Sequence, residues 1–190
     1  MVSDRPVLAF DTSAAHCAAA LLLGDEVFLR TEEMGRGQAE RLVPFLEELL
    51  AGQSLGFSDI RRIGVGIGPG NFTGTRISVS LARGLALSLG IPAIGVSALE
   101  ALRGFSAIDT AAVAGPRETA YVQTGTTAPV IMPRDDVPEG AEWLDNPGRL
   151  VTSIARIAQH AEANGPPPAP LYLKPADAAP ARDAPPVILE

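Results

Sequence analysis

With 190 residues, 46% hydrophobic content and a formal net charge of -7 from 15 Lys and Arg against 22 Asp and Glu, the chain has material for one or two small cores and the wrong sign for gripping a phosphate backbone unaided. Its one cysteine, Cys17, excludes an internal disulfide, and its one lysine, Lys174, leaves lysine-dependent phosphate handling and Schiff-base chemistry almost no material. The opening MVSDRPVLAF has no basic stretch leading into a long apolar one, and the most apolar region, 81–96, is broken by Arg83, Gly84, Gly90 and Pro92, so a cytoplasmic chain without a membrane segment is expected.

PVLAFDTS (6–13), HCAAALLL (16–23) and EVFLRTEE (26–33) predict a meander of three strands, the last two joined by a Gly24-Asp25 turn. From Gly37 the period changes: Leu42, Val43, Phe45, Leu46, Leu49 and Leu50 predict a helix whose first turn Pro44 should shift or kink. IRRIGVGI (60–67) predicts the next strand. Ile77, Leu81, Leu85 and Leu89, spaced by fours, predict a second helix that stops at Gly90. IPAIGV (91–96) predicts a strand and SALEALRG (97–104) a short helix opened by a capping box from Ser97 and Glu100. IDTAAVAG (108–115) and TAYVQTG (119–125) predict two strands joined at Pro-Arg-Glu, followed by a polar, proline-bearing connection and a helix over 148–163. From Gly165 prolines predict an extended tail without regular structure, anchored by Leu171, Tyr172 and Leu173. Strands followed by strand-helix alternation imply an α/β chain, a mixed sheet with helices packed on it, and no internal repeat stands out.

GVGIGPGNFTGTRIS (64–78) is the most distinctive stretch, with five glycines in eleven positions ahead of a helix. A strand that ends in glycines and opens a helix offers backbone N–H groups and a positive dipole end to an anion. The literal motifs do not fit: no lysine follows as in a P-loop, and Gly68, Gly70 and Gly74 give G-x-G-x-x-x-G rather than the dinucleotide spacing. The other reading is a turn whose glycines allow close backbone packing. Asp11 closes the first strand ahead of Thr12 and Ser13. Those three residues suit a hydrated magnesium ion facing phosphates, and equally an Asx or ST turn that finishes the strand. His16 and His160 lack metal-ligand spacing, Cys17 sits among alanines as a small core residue would, and no Ser-His pairing is visible, so no metal, no cofactor and no peptide hydrolysis are expected.

VLAFDTSAAHCAAALL, AERLVPFLEELL and IGVGIGPGNFTGTRISVSLARGLALSLGIPAIGVSALEAL resemble, in order and spacing, the bacterial TsaB proteins, with GPGNFTGTR the most specific piece and YLKPADA similar to the family's closing segment. The resemblance implies the actin-like ATPase (ribonuclease H-like) fold with two sub-lobes, the second reduced. The expected division is 1–105 for the first lobe with dimerising helices, 106–164 for the reduced lobe and 165–190 for the tail. It implies a non-catalytic partner of TsaD in threonylcarbamoyl transfer to the tRNA adenosine next to the anticodon, in a complex with the ATPase subunit TsaE. Homodimers are implied in the absence of TsaD, with tRNA bound only through the complex; the broader family has carried a glycoprotease label. The alternative is a small autonomous ATPase or kinase-like enzyme with Asp11 as magnesium anchor.

ATPases of this superfamily grip phosphates with a turn from each lobe. Here Asp11, Thr12 and Ser13 supply the first, but VAGPRETAYV stands where the second belongs, so the clamp reads as half built. The helices then carry the function. Gly74, Ser78 and Ala82 are small residues at fours that permit close helix approach, and Leu42, Phe45, Leu46 and Leu49 offer apolar surface; with Phe72, Thr73 and Arg76 they form the expected partner interface, a four-helix contact. The sequence departs from the family at Gln38, where many relatives have His, and at AGPRE, which replaces an Asp-Ala-Arg-rich segment.

Overall fold

β1 (Val7–Asp11) is buried on both faces, because its side chains alternate between two layers: Val7 and Ala9 look one way, Leu8 and Phe10 the other. The structure, a computed structural model, describes residues 5–104 and 109–173. β2 (His16–Leu23) and β3 (Glu26–Glu33) continue from β1 as an antiparallel meander. β4 (Arg62–Gly66) lies parallel to β1 and β5 (Ala93–Val96) parallel to β4, giving the order β3-β2-β1-β4-β5.

Helices α1 (Gln38–Ala51) and α2 (Phe72–Leu89) cover the Leu8 and Phe10 face. The inner side of α1 buries Leu42, Phe45, Leu46, Leu49 and Leu50, each contributing roughly 1.5–3 kcal/mol. Pro44 neither starts nor ends α1; it is exposed on the solvent side, as is Glu40, whose carbonyl loses its N–H partner to the proline. Asn71 caps α2 by accepting the Gly74 N–H at 2.8 Å, and Gly90, at φ 65°, closes it.

The opposite face is a shallow floor of Ala9, Ala18, Ala20 and Gly64, covered by α3 (Ala98–Arg103) and α4 (Pro147–His160). A Cβ at Gly64 would stand 2.9 Å from Ile154 Cγ2 and 3.0 Å from Ala158 Cβ, so α4 lies almost on the strand backbone. This is the use of the alanine run in β2: large residues there would hold α4 off. Arg62 fastens the end of α4 by donating to the Ala158 carbonyl at 2.7 Å and to that of Ala161. Ser97 caps α3 at the N–H of Leu99, 3.2 Å away, and the reciprocal capping-box bond from Glu100 is not formed.

The second sheet is β6 (Thr110–Ala114), β7 (Thr119–Thr124), β8 (Val130–Pro133) and β9 (Glu142–Trp143), ordered β8-β7-β6-β9. Its pairings run antiparallel, antiparallel, parallel, the pattern of β3-β2-β1-β4. The repeat is one of topology, which is why the residues do not display it. The sequence predicts only a polar connection between β7 and α4; the structure places β8 and β9 there. Both are short, β9 pairing through two residues, and too brief for a period of two to register. A single 3-10 turn, Arg134–Asp136, stands where the first lobe has α1. Residues 165–173 carry no regular structure, as their prolines predict; the part of YLKPADA beyond Leu173, like Ile108, lies outside the described residues. No helix among the described residues is long and apolar enough to cross a membrane.

Cys17 is buried in β2 with its Sγ donating to Met34 Sδ at 3.4 Å. Burial, aided by the Glu32 carboxylate, pushes its thiol up to about 11. The native protein is expected to stay unreactive toward Ellman's reagent at pH 8 on the timescale in which the urea-unfolded chain reacts completely. Since the folded state holds this proton where the unfolded thiol, near 9, has released it, this group's contribution to stability falls as pH rises through the range 9 to 11.

Candidate functional site

The site begins where β1 ends. Asp11 is fully buried, and its Oδ1 accepts three hydrogen bonds: from the Ser13 N–H at 2.9 Å, the Ser13 hydroxyl at 2.8 Å and the Nε2–H of His16 at 2.9 Å. Thr12 turns away and donates to the Gly74 carbonyl at 2.6 Å, while the Ser13 carbonyl accepts from the Asn71 N–H at 2.6 Å. Gln38, at the start of α1, stitches the same turn by donating to the carbonyls of Ala14 at 2.7 Å and His16 at 2.9 Å.

The glycine-rich segment lies directly on this turn. A Cβ at Gly66 would come within 1.9 Å of Asp11 Oδ2, one at Gly70 within 2.4 Å of the Ser13 carbonyl oxygen, and one at Gly74 within 1.9 Å of the Thr12 carbonyl oxygen. Backbone meets the Asp11 carboxylate at Gly66 and backbone at Gly70 and Gly74, so these glycines serve close contact rather than an open cradle. Asp11 Oδ2 has no partner among the described residues. Asp11→Ala would leave the Ser13 and His16 polar groups buried without their acceptor, at about 1–3 kcal/mol for each group. A melting temperature lowered by several degrees is expected in a thermal melt, with a smaller loss for Asp11→Asn, which keeps an acceptor.

Beside the turn a cleft of about 510 Å³ separates the two sheets, lined by Ser13, Gln38, Asn71, Val113, Ala114 and Tyr121 among others, with no charged side chain in its wall among the described residues. The β6–β7 turn stands opposite the β1–β2 turn in topology, and β6 ends in Ala114 where β1 ends in Asp11. That second turn is closed on itself: the Gly115 N–H donates to the Thr119 carbonyl at 2.8 Å and the Thr119 hydroxyl to the Pro116 carbonyl at 2.6 Å. β1 thus ends in a carboxylate bonded through Oδ1 and β6 in an alanine, and among the described residues no carboxylate lines the cleft between them. Among the described residues no group of three His, Cys, Asp or Glu side chains converges as a metal site requires.

The residues expected at the partner interface separate into two sets. Leu42, Phe45, Leu46 and Leu49 of α1, with Gly74, Ser78 and Ala82 of α2, are buried in the chain's own core. This corrects their assignment to an open face. The small stripe of α2 lets that helix approach its own sheet, Ser78 donating to the Thr75 carbonyl at 3.1 Å and Gly74 receiving Thr12. Phe72, Thr73 and Arg76 do lie at the surface. The outer side of the helix pair carries an open groove of about 460 Å³ lined by Ala39, Val43, Phe72, Arg76, Ile77 and Leu81 among others. Val43 is 37% exposed, Phe72 52% and, further along α2, Leu87 86%. Of the two stripes read from the sequence, the small residues face the core, while Ile77 and Leu81 of the large stripe are half-buried, packed against the core and also lining the groove. Val43, Ile77 and Leu81 were legible as apolar residues at helical spacing, but which side of each helix meets the sheet was not, and Leu87, off the stripe at fours, was not singled out.

Arg41 orders the far side of α1 by bridging Glu32 of β3 at 2.8 Å and Glu48 at 2.7 Å, with Arg30 also reaching Glu48. Hydrogen bonds from Arg41 hold both carboxyls below the usual range. This exposed network sits over Phe45, with the Arg30 and Arg41 guanidinium carbons 5.4 and 5.6 Å from the ring centroid, and seals that side of the core.

Three comparisons bear on this arrangement. The family model described as TsaD: tRNA N6-adenosine threonylcarbamoyltransferase matches residues 31–178. The chain is 38% identical over 101 residues to the tRNA threonylcarbamoyladenosine biosynthesis protein TsaB of Haemophilus influenzae, covering 53% of this chain and 43% of that protein. It is 38% identical over 93 residues to the protein of the same name from Escherichia coli, covering 49% and 40%. The matched stretches thus span less than half the length of these curated relatives. The structure of YeaZ from Pseudomonas aeruginosa superposes with a TM-score of 0.72 at 25% identity, covering 89% of this chain and 100% of that one. Together with the two sheets, this likeness gives the α/β fold of the actin-like ATPase type that the sequence implied.

Proposed function

Because the chain belongs to the family whose model is described as TsaD: tRNA N6-adenosine threonylcarbamoyltransferase, we propose that it serves threonylcarbamoyladenosine formation in tRNA as a non-catalytic subunit, paired with a TsaD-type catalytic subunit in the cytoplasm. The observation that carries this reading is the exposed apolar groove along the outer side of α1 and α2, next to a phosphate turn that is bonded to itself. A groove with Val43 and Phe72 exposed and Leu81 half-buried in its wall loses free energy until something covers it. A TsaD-type subunit covers it in the complex and a second copy of the chain covers it otherwise; tRNA and a TsaE-type ATPase join through the catalytic subunit. The test is reconstitution. With the TsaD-type protein of the same genome and the remaining components, omission of this chain should abolish threonylcarbamoylation of tRNA, and adding it back should restore the activity.

Asp11 Oδ2, buried without a partner among the described residues, favours a second reading, an autonomous ATPase or kinase-like enzyme in which that oxygen faces a magnesium ion. The two readings separate in a phosphate-release assay. The pure chain is expected to release none from ATP above a buffer control, and turnover lost in Asp11→Asn would establish the enzyme. The net charge of -7 sets a further expectation: the isolated chain shifts tRNA weakly or not at all in a low-salt gel, since a tight, salt-steep complex needs cationic contacts it has not the surplus to supply.

A further inference from the structure

The tail does more than end the chain. Pro168 is buried against Gly95, whose Cβ would stand 3.1 Å from the Pro168 Cβ, and the Leu171 N–H donates to the Ile67 carbonyl at 2.8 Å. These two contacts deliver Tyr172 to the first turn of α2, where its ring centroid lies 5.4 Å from that of Phe72 and its hydroxyl accepts from Arg76 Nε at 2.7 Å. The Arg76 guanidinium carbon lies 3.7 Å from the Phe72 centroid. Arg76 is therefore held by Phe72 through its face and by Tyr172 through Nε, while among the described residues its two terminal nitrogens make no hydrogen bond or ion pair. It forms the wall shared by the α1–α2 groove and a second groove of about 490 Å³ along the tail, where Arg83 is the other cation.

We propose that Arg76, fixed by Phe72 and Tyr172, is the specificity-determining residue of the partner face and receives a carboxylate of an Asp or Glu on the TsaD-type subunit, with Tyr172 acting as its positioning residue. The inference rests on the partner reading given above. Three physical points carry it. A guanidinium presents its terminal N–H groups as a planar fork that matches a carboxylate, and stacking fixes the plane of that fork before binding. An exposed cation without a counter-charge among the described residues, in a chain of net charge -7, is complementary to an anion rather than to another cation. Arg and aromatic residues beside an apolar groove are also the composition of binding hot spots.

The experiment measures the dissociation constant of the full chain with the TsaD-type protein of the same genome by titration calorimetry, and thermal melts check that each variant is folded. Val43→Asp tests the face itself, Arg76→Lys removes the planar fork but keeps the charge, and Tyr172→Phe removes only the hydroxyl. Val43→Asp should abolish association, Arg76→Lys should weaken it about tenfold and Tyr172→Phe about threefold. The double variant Arg76→Lys, Tyr172→Phe should be no weaker than Arg76→Lys alone, because Tyr172 acts through Arg76. If Val43→Asp abolishes association while both single variants bind within twofold of the parent, the carboxylate assignment is overturned and the partner face stands. If the two losses multiply in the double variant, the positioning role of Tyr172 is overturned. If Val43→Asp binds as the parent does, the partner reading fails, and this inference with it.

Discussion

Gly74→Ala is expected to lower the melting temperature by roughly 6–12 °C, while Gly84→Ala, ten residues further along the same helix, raises it slightly. Both replacements add the same methyl group to α2 and gain the same intrinsic helix preference, up to about 1 kcal/mol. The surroundings decide the sign. At Gly84 nothing lies within 4 Å of the new Cβ, so only the propensity gain remains. At Gly74 the Cβ would stand 1.9 Å from the Thr12 carbonyl oxygen, and that carbonyl belongs to a turn pinned by Asp11, Asn71 and Gln38. Neither backbone can yield without breaking the other's hydrogen bonds, so the overpacking cost exceeds the gain by about 3 kcal/mol. In a domain of this size that corresponds to the shift stated, at about 2–4 °C per kcal/mol. Paired melts of the two variants check it; a Gly74→Ala protein as stable as the parent would mean the 11–13 turn and the glycine segment do not brace each other.

The second large effect separates the two sides of α1. Leu46→Asp places a charge in an apolar core cluster with Leu8, Phe10 and Leu21 and is expected to unfold the chain, a loss of several kcal/mol. Val43→Asp, three residues earlier and turned to solvent, should leave the melting temperature within about 2 °C, since surface changes of this kind stay near ±0.5 kcal/mol. Circular dichroism melts read both. Equal losses in the two variants would mean that Val43 is covered within the chain.

The first sheet was legible in the sequence because each of its signals is local and repeated. The β1–β2–β3 meander has long apolar runs and a Gly24-Asp25 turn; α2 has leucines at fours and a glycine stop. The Asp11-Thr12-Ser13 turn was legible as a place, though the same residues write a magnesium anchor and an Asx turn alike; the three bonds to Oδ1 build the turn, a geometry that the sequence alone does not contain. What stayed hidden is what depends on partners distant in the chain. β9 exists because Ala111 and Ala112 offer it an edge, not because Glu142 and Trp143 favour a strand. The orientation of α2 follows from Gly74 meeting Thr12 across 62 positions, which no periodicity contains. A stripe of small residues marks a close approach without saying to what, and here the neighbour is the chain's own sheet.

The proposal that the outer side of α1 and α2 is the working surface meets its most direct test in one binding measurement: calorimetric titration of the full chain and of Val43→Asp with the TsaD-type protein of the same genome. The expected result is saturable association for the parent chain and none for Val43→Asp, with the two proteins melting together when heated alone. Association of equal strength for both, or no association of the parent chain, would contradict it.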